Sequence, residues 1–97
     1  MKIRNQKILI EYQKKHADIQ KPVSNWKNII ENSSFHNFDE LHKTFSNADS
    51  IKNTTFISLT IFNVKGNSYR LVVDIDYSGQ IVLVETIMTH AEHDKIN

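Results

Sequence analysis

The spacing of apolar residues changes near residue 55, and this change constrains the fold more than any other feature of the sequence. Before it, apolar side chains recur at helical intervals, as Val23, Trp26 and Ile30 do. After it they alternate, and the run SYRLVVDIDY places every second residue from Tyr69 to Tyr77 on one face. A helical first half followed by a strand-forming second half predicts an α+β domain.

The helical half predicts three helices. The first two cover residues 5–16 and 22–32, and both carry apolar residues on one side. A short third helix begins after Asn37, because Glu40 follows at capping-box spacing. The apolar stripes of these helices are interpreted as core.

The second half predicts an antiparallel β-meander. Its three runs are FISLTIFNV, SYRLVVDIDY and QIVLVETIM. Gly66 and Gly79 fall between the runs, where tight hairpins favour a residue that can adopt positive φ. A brief strand over residues 2–4 is expected to add an edge, so N-terminal helices pack on a sheet in a single domain, residues 1–97.

Composition excludes several classes of site and location. The chain has no cysteine, which excludes disulfides, a thiolate nucleophile and cysteine-based metal sites, and which fits a reducing cytoplasm. No apolar run approaches the roughly 18 residues of a membrane span, and the first residues lack the pattern of a signal peptide. We therefore expect a cytoplasmic protein without a membrane partner.

Positive charge is concentrated at the start of the chain, although the net charge is only +1. Residues 1–27 carry seven basic and two acidic side chains. This block could form one side of an anion-binding surface, as a nucleic-acid partner requires. It could equally be a solvated, lysine-rich helix face.

The tail THAEHDKIN gathers several polar groups directly after the last predicted strand. His90 and His93 are three residues apart and could bind a metal ion together with Asp94. A polar helix end with Lys95 near its C-terminus explains the same residues without chemistry. The residues alone leave both readings open.

The segment IFNVKGNSYRLVVDIDYSGQIVLVETIMTHAEHDKIN resembles the C-terminal half of HigB-type toxins of bacterial toxin–antitoxin pairs. Their usual form is close to F-N-[IV]-x-G-N-x-Y-R-L-[IV]-V, followed after a hydrophobic strand by T-H-A-E-Y-D-K-I. The first half is similar too, with a helix ending near KKHAD, a proline shortly before Trp26, and a short helix like FDELHKTF. The resemblance thus covers nearly the whole chain.

This resemblance implies a RelE-like compact fold and an endoribonuclease that cuts messenger RNA on the translating ribosome. It also implies a HigA-like helix-turn-helix antitoxin, which neutralises the toxin and represses the shared operon. Operator DNA would then be contacted only through the antitoxin.

The residues present can supply such chemistry without a metal or cofactor. RNA cleavage needs a base for the ribose 2′-OH, stabilisation of the phosphorane charge, and a proton for the leaving oxygen. Arg70 can anchor a phosphate with two N–H groups, although it could instead pair with Asp74 or Glu85. Lys65 adds a point charge.

The acid and base are expected to be His90 and His93, because histidine exchanges protons near neutral pH. Lys95 and Asn63 are candidates for RNA contact. Asn67 could bind RNA too, but we favour a role in the turn. His93 stands where the family motif usually has tyrosine, and this departure leaves an inactive, antitoxin-binding relative as the alternative to an active toxin.

Overall fold

The computed structural model describes residues 1–52 and 58–91 as three α-helices packed on a five-stranded sheet. In chain order the elements are β1 (Lys2–Arg4), α1 (Lys7–Lys15), a 3₁₀ turn (Ala17–Ile19), α2 (Gln20–Glu31), α3 (Phe38–Thr44), β2 (Asp49–Lys52), β3 (Ser58–Val64), β4 (Tyr69–Asp76) and β5 (Ile81–Thr89). The strand order across the sheet is β1-β5-β4-β3-β2. The α+β fold class predicted from the sequence is confirmed.

The sheet is mixed, since its two edges are built differently. β2, β3, β4 and β5 form the antiparallel meander, whereas β1 runs parallel to β5. The predicted edge strand near the N-terminus is therefore confirmed, and its pairing explains why the sheet is mixed. β2 was not predicted, because its four residues, DSIK, are too few and too polar to show a period.

One face of the sheet and the helices enclose the hydrophobic core. Alternation along β4 turns Tyr69, Leu71 and Val73 towards the helices. Trp26 meets Phe62 edge-to-face at 5.4 Å, and Phe62 meets Phe45 at 4.9 Å. The fully buried aliphatic residues are Leu9, Ile19, Val23, Ile30, Leu41, Leu71, Val73, Val82 and Val84.

The two turns that were predicted at glycines need their glycine for different physical reasons. Gly66 takes φ +64°, as expected, and its neighbour Lys65 takes φ +54°. In the second turn the positive φ belongs to Gln80, so the prediction for Gly79 was wrong. Gly79 is needed instead for a close approach, because a Cβ there would lie 2.6 Å from Oδ2 of Asp76.

Helix ends agree with the sequence pattern only in part. Asn37 caps α3 as predicted, since its Oδ1 accepts a 2.9 Å hydrogen bond from the backbone N–H of Glu40. α1 begins two residues later than predicted, because Asn5 takes φ +65°, which is not helical. The Nδ2 group of Asn5 instead donates a hydrogen bond to the carbonyl of Val84. No helix in the described part of the chain is long and apolar enough to cross a lipid bilayer.

Candidate functional site

Arg70 connects two polar residues on the face of the sheet opposite the core. The β3–β4 register places Asn63 directly across from it, and Nη1 of Arg70 donates to Oδ1 of Asn63 at 2.7 Å. Nη2 of Arg70 donates to Nδ1 of His90 at 2.9 Å. These three residues are called the Arg70 cluster below.

Both partners of Arg70 are themselves held by the backbone. Nδ2 of Asn63 donates to the carbonyl of Asn47 at 2.7 Å, which ties β3 to the loop before β2. The backbone N–H of His90 donates to the carbonyl of Ser68 at 3.0 Å, just beyond the end of β5. The guanidinium group is therefore fixed by neutral groups, and no carboxylate of the described residues pairs with it.

The hydrogen bond from Arg70 determines the tautomer that His90 must have. A guanidinium group can only donate, so Nδ1 of His90 accepts and carries no proton. The ring proton of the neutral histidine is thereby assigned to Nε2. In this arrangement His90 is a donor at Nε2, and a doubly protonated ring would lose its bond to Arg70.

Arg70 also has donor capacity that its contacts leave unused. Its Nε is buried and has no hydrogen-bond partner among residues 1–52 and 58–91. An unsatisfied buried N–H group is unfavourable, so an acceptor that reaches it gains free energy. Phosphate oxygens match the planar fork of a guanidinium group in geometry and charge. Each Nη atom also keeps a second N–H group, so Arg70 has the kind of donors that a phosphate group needs, and phosphate binding stays a prediction.

A second polar group lies on the opposite side of the sheet, between the β3–β4 turn and the 3₁₀ turn. Nζ of Lys65 donates to Oδ2 of Asp18 at 2.8 Å. The hydroxyl of Tyr69 donates to both carboxylate oxygens of Asp18, at 3.0 and 3.1 Å, and lies 3.3 Å from Nδ1 of His16. His16, Asp18, Lys65 and Tyr69 are called the Asp18 cluster.

The pKa shifts within the Asp18 cluster describe an ionised pair. The hydrogen bond from Lys65 lowers the pKa of the Asp18 carboxyl, and the same bond raises the pKa of Lys65. Burial raises the pKa of the Tyr69 hydroxyl, and the neighbouring Asp18 carboxylate adds to this effect. At neutral pH the positive charge of Lys65 is thus balanced by a carboxylate.

The structure divides the residues predicted from the sequence. Asn63, Arg70 and His90 come together. Lys65 turns to Asp18 instead, and Asn67 is exposed in the turn between β3 and β4. His93 and Lys95 lie outside the described residues, so their predicted roles stay predictions.

The alternatives named for these residues have different outcomes. Arg70 forms no ion pair with Asp74 or Glu85, so that interpretation was wrong. Within residues 1–52 and 58–91, no three His, Asp or Glu side chains form a group that could hold a metal ion. The metal hypothesis for His90 also needs His93 and Asp94, which are outside the described part, so it stays untested.

Sequence reasoning missed Asp18, His16 and Asn47 as neighbours of the site. Asp18 and Lys65 are 47 positions apart, and no local pattern connects them. The one available signal was the helix end KKHAD, which belongs to the resemblance described above and contains both His16 and Asp18.

Comparison with known proteins adds independent evidence. No curated protein is significantly similar to the chain. A family model described as HigB_toxin, RelE-like toxic component of a toxin-antitoxin system, matches residues 19–96. This range contains the whole Arg70 cluster and all five strands except β1. The chain therefore belongs to the HigB family of RelE-like toxins of toxin–antitoxin systems.

Proposed function

We propose that this toxin is a ribosome-dependent endoribonuclease that cleaves messenger RNA without a metal ion and thereby inhibits translation. The observation that carries the proposal is the Arg70 guanidinium group, which is fixed by two neutral partners and has no carboxylate partner among the described residues. Such a group can bind the scissile phosphate and stabilise the additional charge of the phosphorane.

The proposed reaction transfers one phosphoryl group within the RNA. The ribose 2′-oxygen attacks the adjacent phosphorus, and the bond from phosphorus to the 5′-oxygen breaks. A base removes the 2′-OH proton and an acid protonates the 5′-oxygen, so the products are a 2′,3′-cyclic phosphate and a 5′-OH. Arg70 would contact the non-bridging oxygens throughout.

The tautomer of His90 suggests how the two histidines share this work. While Nδ1 accepts from Arg70, the neutral ring of His90 can donate a hydrogen bond from Nε2 to a phosphate oxygen, but it cannot take up the 2′-OH proton there. To act as the acid, His90 must first be protonated at Nδ1, in exchange for the hydrogen bond from Arg70, and it then gives the Nε2 proton to the leaving 5′-oxygen. We assign this acid role to His90 and the base role to His93.

Asn63 and Lys95 are proposed to contact RNA around the scissile phosphate, where Lys65 would add a point charge. Asn67 lies in the turn between β3 and β4, the role favoured for it above.

The proposed neutralising partner is a HigA-like helix-turn-helix antitoxin. Membership of the family implies an antitoxin. The toxin itself would contact operator DNA only through that antitoxin, and its remaining partner would be messenger RNA on the ribosome.

Replacement of Arg70 tests the proposal directly. Arg70→Ala should lower the rate of cleavage on programmed ribosomes by about a hundredfold or more, because a donor to the transition state is lost. Arg4→Ala is the matched control, since Arg4 is the other arginine of the chain and is exposed on β1. Full activity of a folded Arg70→Ala protein would contradict the assignment.

Metal independence is tested with a chelator that is selective for transition metals while magnesium keeps the ribosome assembled. The proposed acid, base and cation all come from side chains, so the cleavage rate should stay the same. Loss of activity that zinc restores, in a protein purified with stoichiometric zinc, would show that the reaction needs a metal.

An inactive binding module is the second candidate, and two observations favour it. Lys65 is paired with Asp18, and His93 replaces the usual tyrosine of the motif. Such a protein would act only through the antitoxin complex in transcriptional control. Induced expression without antitoxin separates the candidates, because an active toxin arrests growth, whereas a binding module leaves growth unchanged.

A further inference from the structure

A small cleft opens between α2 and the edge of β3, and Asn63 of the Arg70 cluster lies at its border. Its volume is about 180 Å³, below the roughly 300–1,000 Å³ of a site for a drug-sized ligand. Aromatic and aliphatic side chains dominate its lining, which includes Trp26, Ile29, Phe45, Phe62, Asn63 and Lys65. The cleft therefore has room for one planar ring and too little room for a folded peptide.

The outer edge of β3 borders the same cleft. The pairing of β3 with β2 ends at Ile61, which is opposite Asp49, whereas β3 continues to Val64. No described strand lies beside the outer edge of residues 62–64. The loop before β2 contacts this edge instead, through Phe45 on Phe62 and the carbonyl of Asn47 at Asn63.

Trp26 adds a buried donor at the cleft. Its side chain is almost completely buried, and its Nε1 has no hydrogen-bond partner among the described residues. Ile29, also on α2, is 40% exposed and provides an apolar surface at the rim.

The position of the cleft indicates what occupies it. Asn63 borders the cleft and, on the other face of the sheet, accepts the hydrogen bond from Nη1 of Arg70, so the two sites meet at this residue of β3. Lys65 also lines the cleft, with its charge paired to Asp18. RNA offers planar rings with polar edges at a short, fixed distance from phosphate, and proteins commonly hold unstacked bases against aromatic side chains.

We infer that this cleft binds one nucleobase of the RNA, next to the phosphate held by Arg70. The inference rests on the proposed function, because it assumes that RNA is the ligand of the Arg70 cluster. It adds a base-binding subsite, in which Trp26 and Phe62 contact the ring and Ile29 covers its exposed side.

Trp26 makes the inference measurable, because it is the only tryptophan of the chain. A short single-stranded RNA should quench its fluorescence, while the anisotropy of a labelled copy reports binding separately. A matched oligonucleotide with abasic sites keeps the phosphates and lacks the bases. It should bind more weakly and leave the fluorescence of Trp26 unchanged.

A pair of variants separates the cleft from general effects of charge. Ile29→Glu should weaken binding of the base-containing RNA about tenfold, equivalent to about 1.4 kcal/mol, and should abolish the quenching. It should weaken binding of the abasic oligonucleotide much less. Ile10→Glu makes the same replacement at an exposed isoleucine on α1 and should retain the quenching.

Several results would overturn the inference. RNA that binds by anisotropy without a change in Trp26 fluorescence would exclude the subsite and leave the proposed function intact. Equal weakening of both oligonucleotides by Ile29→Glu would show an effect of charge alone, with the same consequence. If neither oligonucleotide bound even at low salt, both the subsite and RNA binding at the Arg70 cluster would be contradicted.

Discussion

Two neighbouring residues of β4 carry the side chains that distinguish the two polar clusters. Arg70 points away from the core and is held by neutral acceptors, whereas Tyr69 points towards the helices and donates to Asp18. Lys65 belongs to the second cluster, where a carboxylate balances its charge. A cation held by neutral groups keeps its charge for a ligand, whereas a cation with a carboxylate partner must first give up that partner.

The largest difference between the clusters is expected when the type of cation is exchanged. Arg70→Lys should lower the rate of single-turnover cleavage on ribosomes by about a hundredfold, because a lysine cannot bridge Asn63, His90 and a phosphate at once. Lys65→Arg keeps the charge near Asp18 and should change the rate by no more than about threefold. Equal sensitivity at both positions would show that the two clusters act as one site.

An intermediate effect is expected at His93, which is proposed as the base. Its protonation must then control the reaction, so the wild-type rate should rise as the pH increases through about 6.5, the usual pKa of histidine. His93→Ala should lower the rate about a hundredfold or less and remove this dependence.

The variant His93→Tyr provides the control for that experiment, because it restores the residue usual in the family motif. If position 93 only stacks on a base, His93→Tyr should be as active as the wild type, and the pH profile should be unchanged. A wild-type profile for His93→Ala would rule out both roles.

The sequence predicted the elements of the fold better than the contacts between them. Alternation along β4 and the cap at Asn37 are local patterns, and both were confirmed. β2 is too short to show a period, and the late start of α1 depends on the contact between Asn5 and Val84, which are 79 positions apart. Contacts over such distances depend on the assembled sheet and leave no local signal.

The candidate site shows the same division. Asn63 and Arg70 are opposite each other because a tight turn separates two alternating strands, so their meeting follows from the pattern. The pairing of Lys65 with Asp18 does not, because it depends on where the 3₁₀ turn after α1 meets the sheet. For this reason the sequence grouped Lys65 with Arg70, whereas the structure gives Lys65 a carboxylate partner.

The smallest expected effect concerns the stability that the Asp18 cluster contributes. Folding lowers the pKa of Asp18 from its ordinary value of 3.8, so the native state binds this proton more weakly than the unfolded chain. The resulting stabilisation is present above about pH 3.8 and is lost as the pH falls through the lower, folded pKa. Asp18→Asn should therefore lower Tm at pH 7 by a few degrees at most, since the pair is partly exposed.

Thermal unfolding as a function of pH separates this ion pair from a general loss of charge. The difference in Tm between wild type and Asp18→Asn should shrink below about pH 3.8, because the wild-type carboxyl then becomes neutral as well. Folding raises the pKa of Lys65 above its ordinary value of 10.5, so the difference in Tm should shrink again as the pH rises through that higher value.

The control is Asp49→Asn, at an exposed aspartate of β2 that has no ion pair among the described residues. It should show neither change. A difference in Tm that stays constant from acid to alkaline pH would contradict the ion pair with Lys65. It would mean that the Asp18 side chain stabilises the fold through hydrogen bonds, which the side-chain amide of the Asp18→Asn variant replaces only in part.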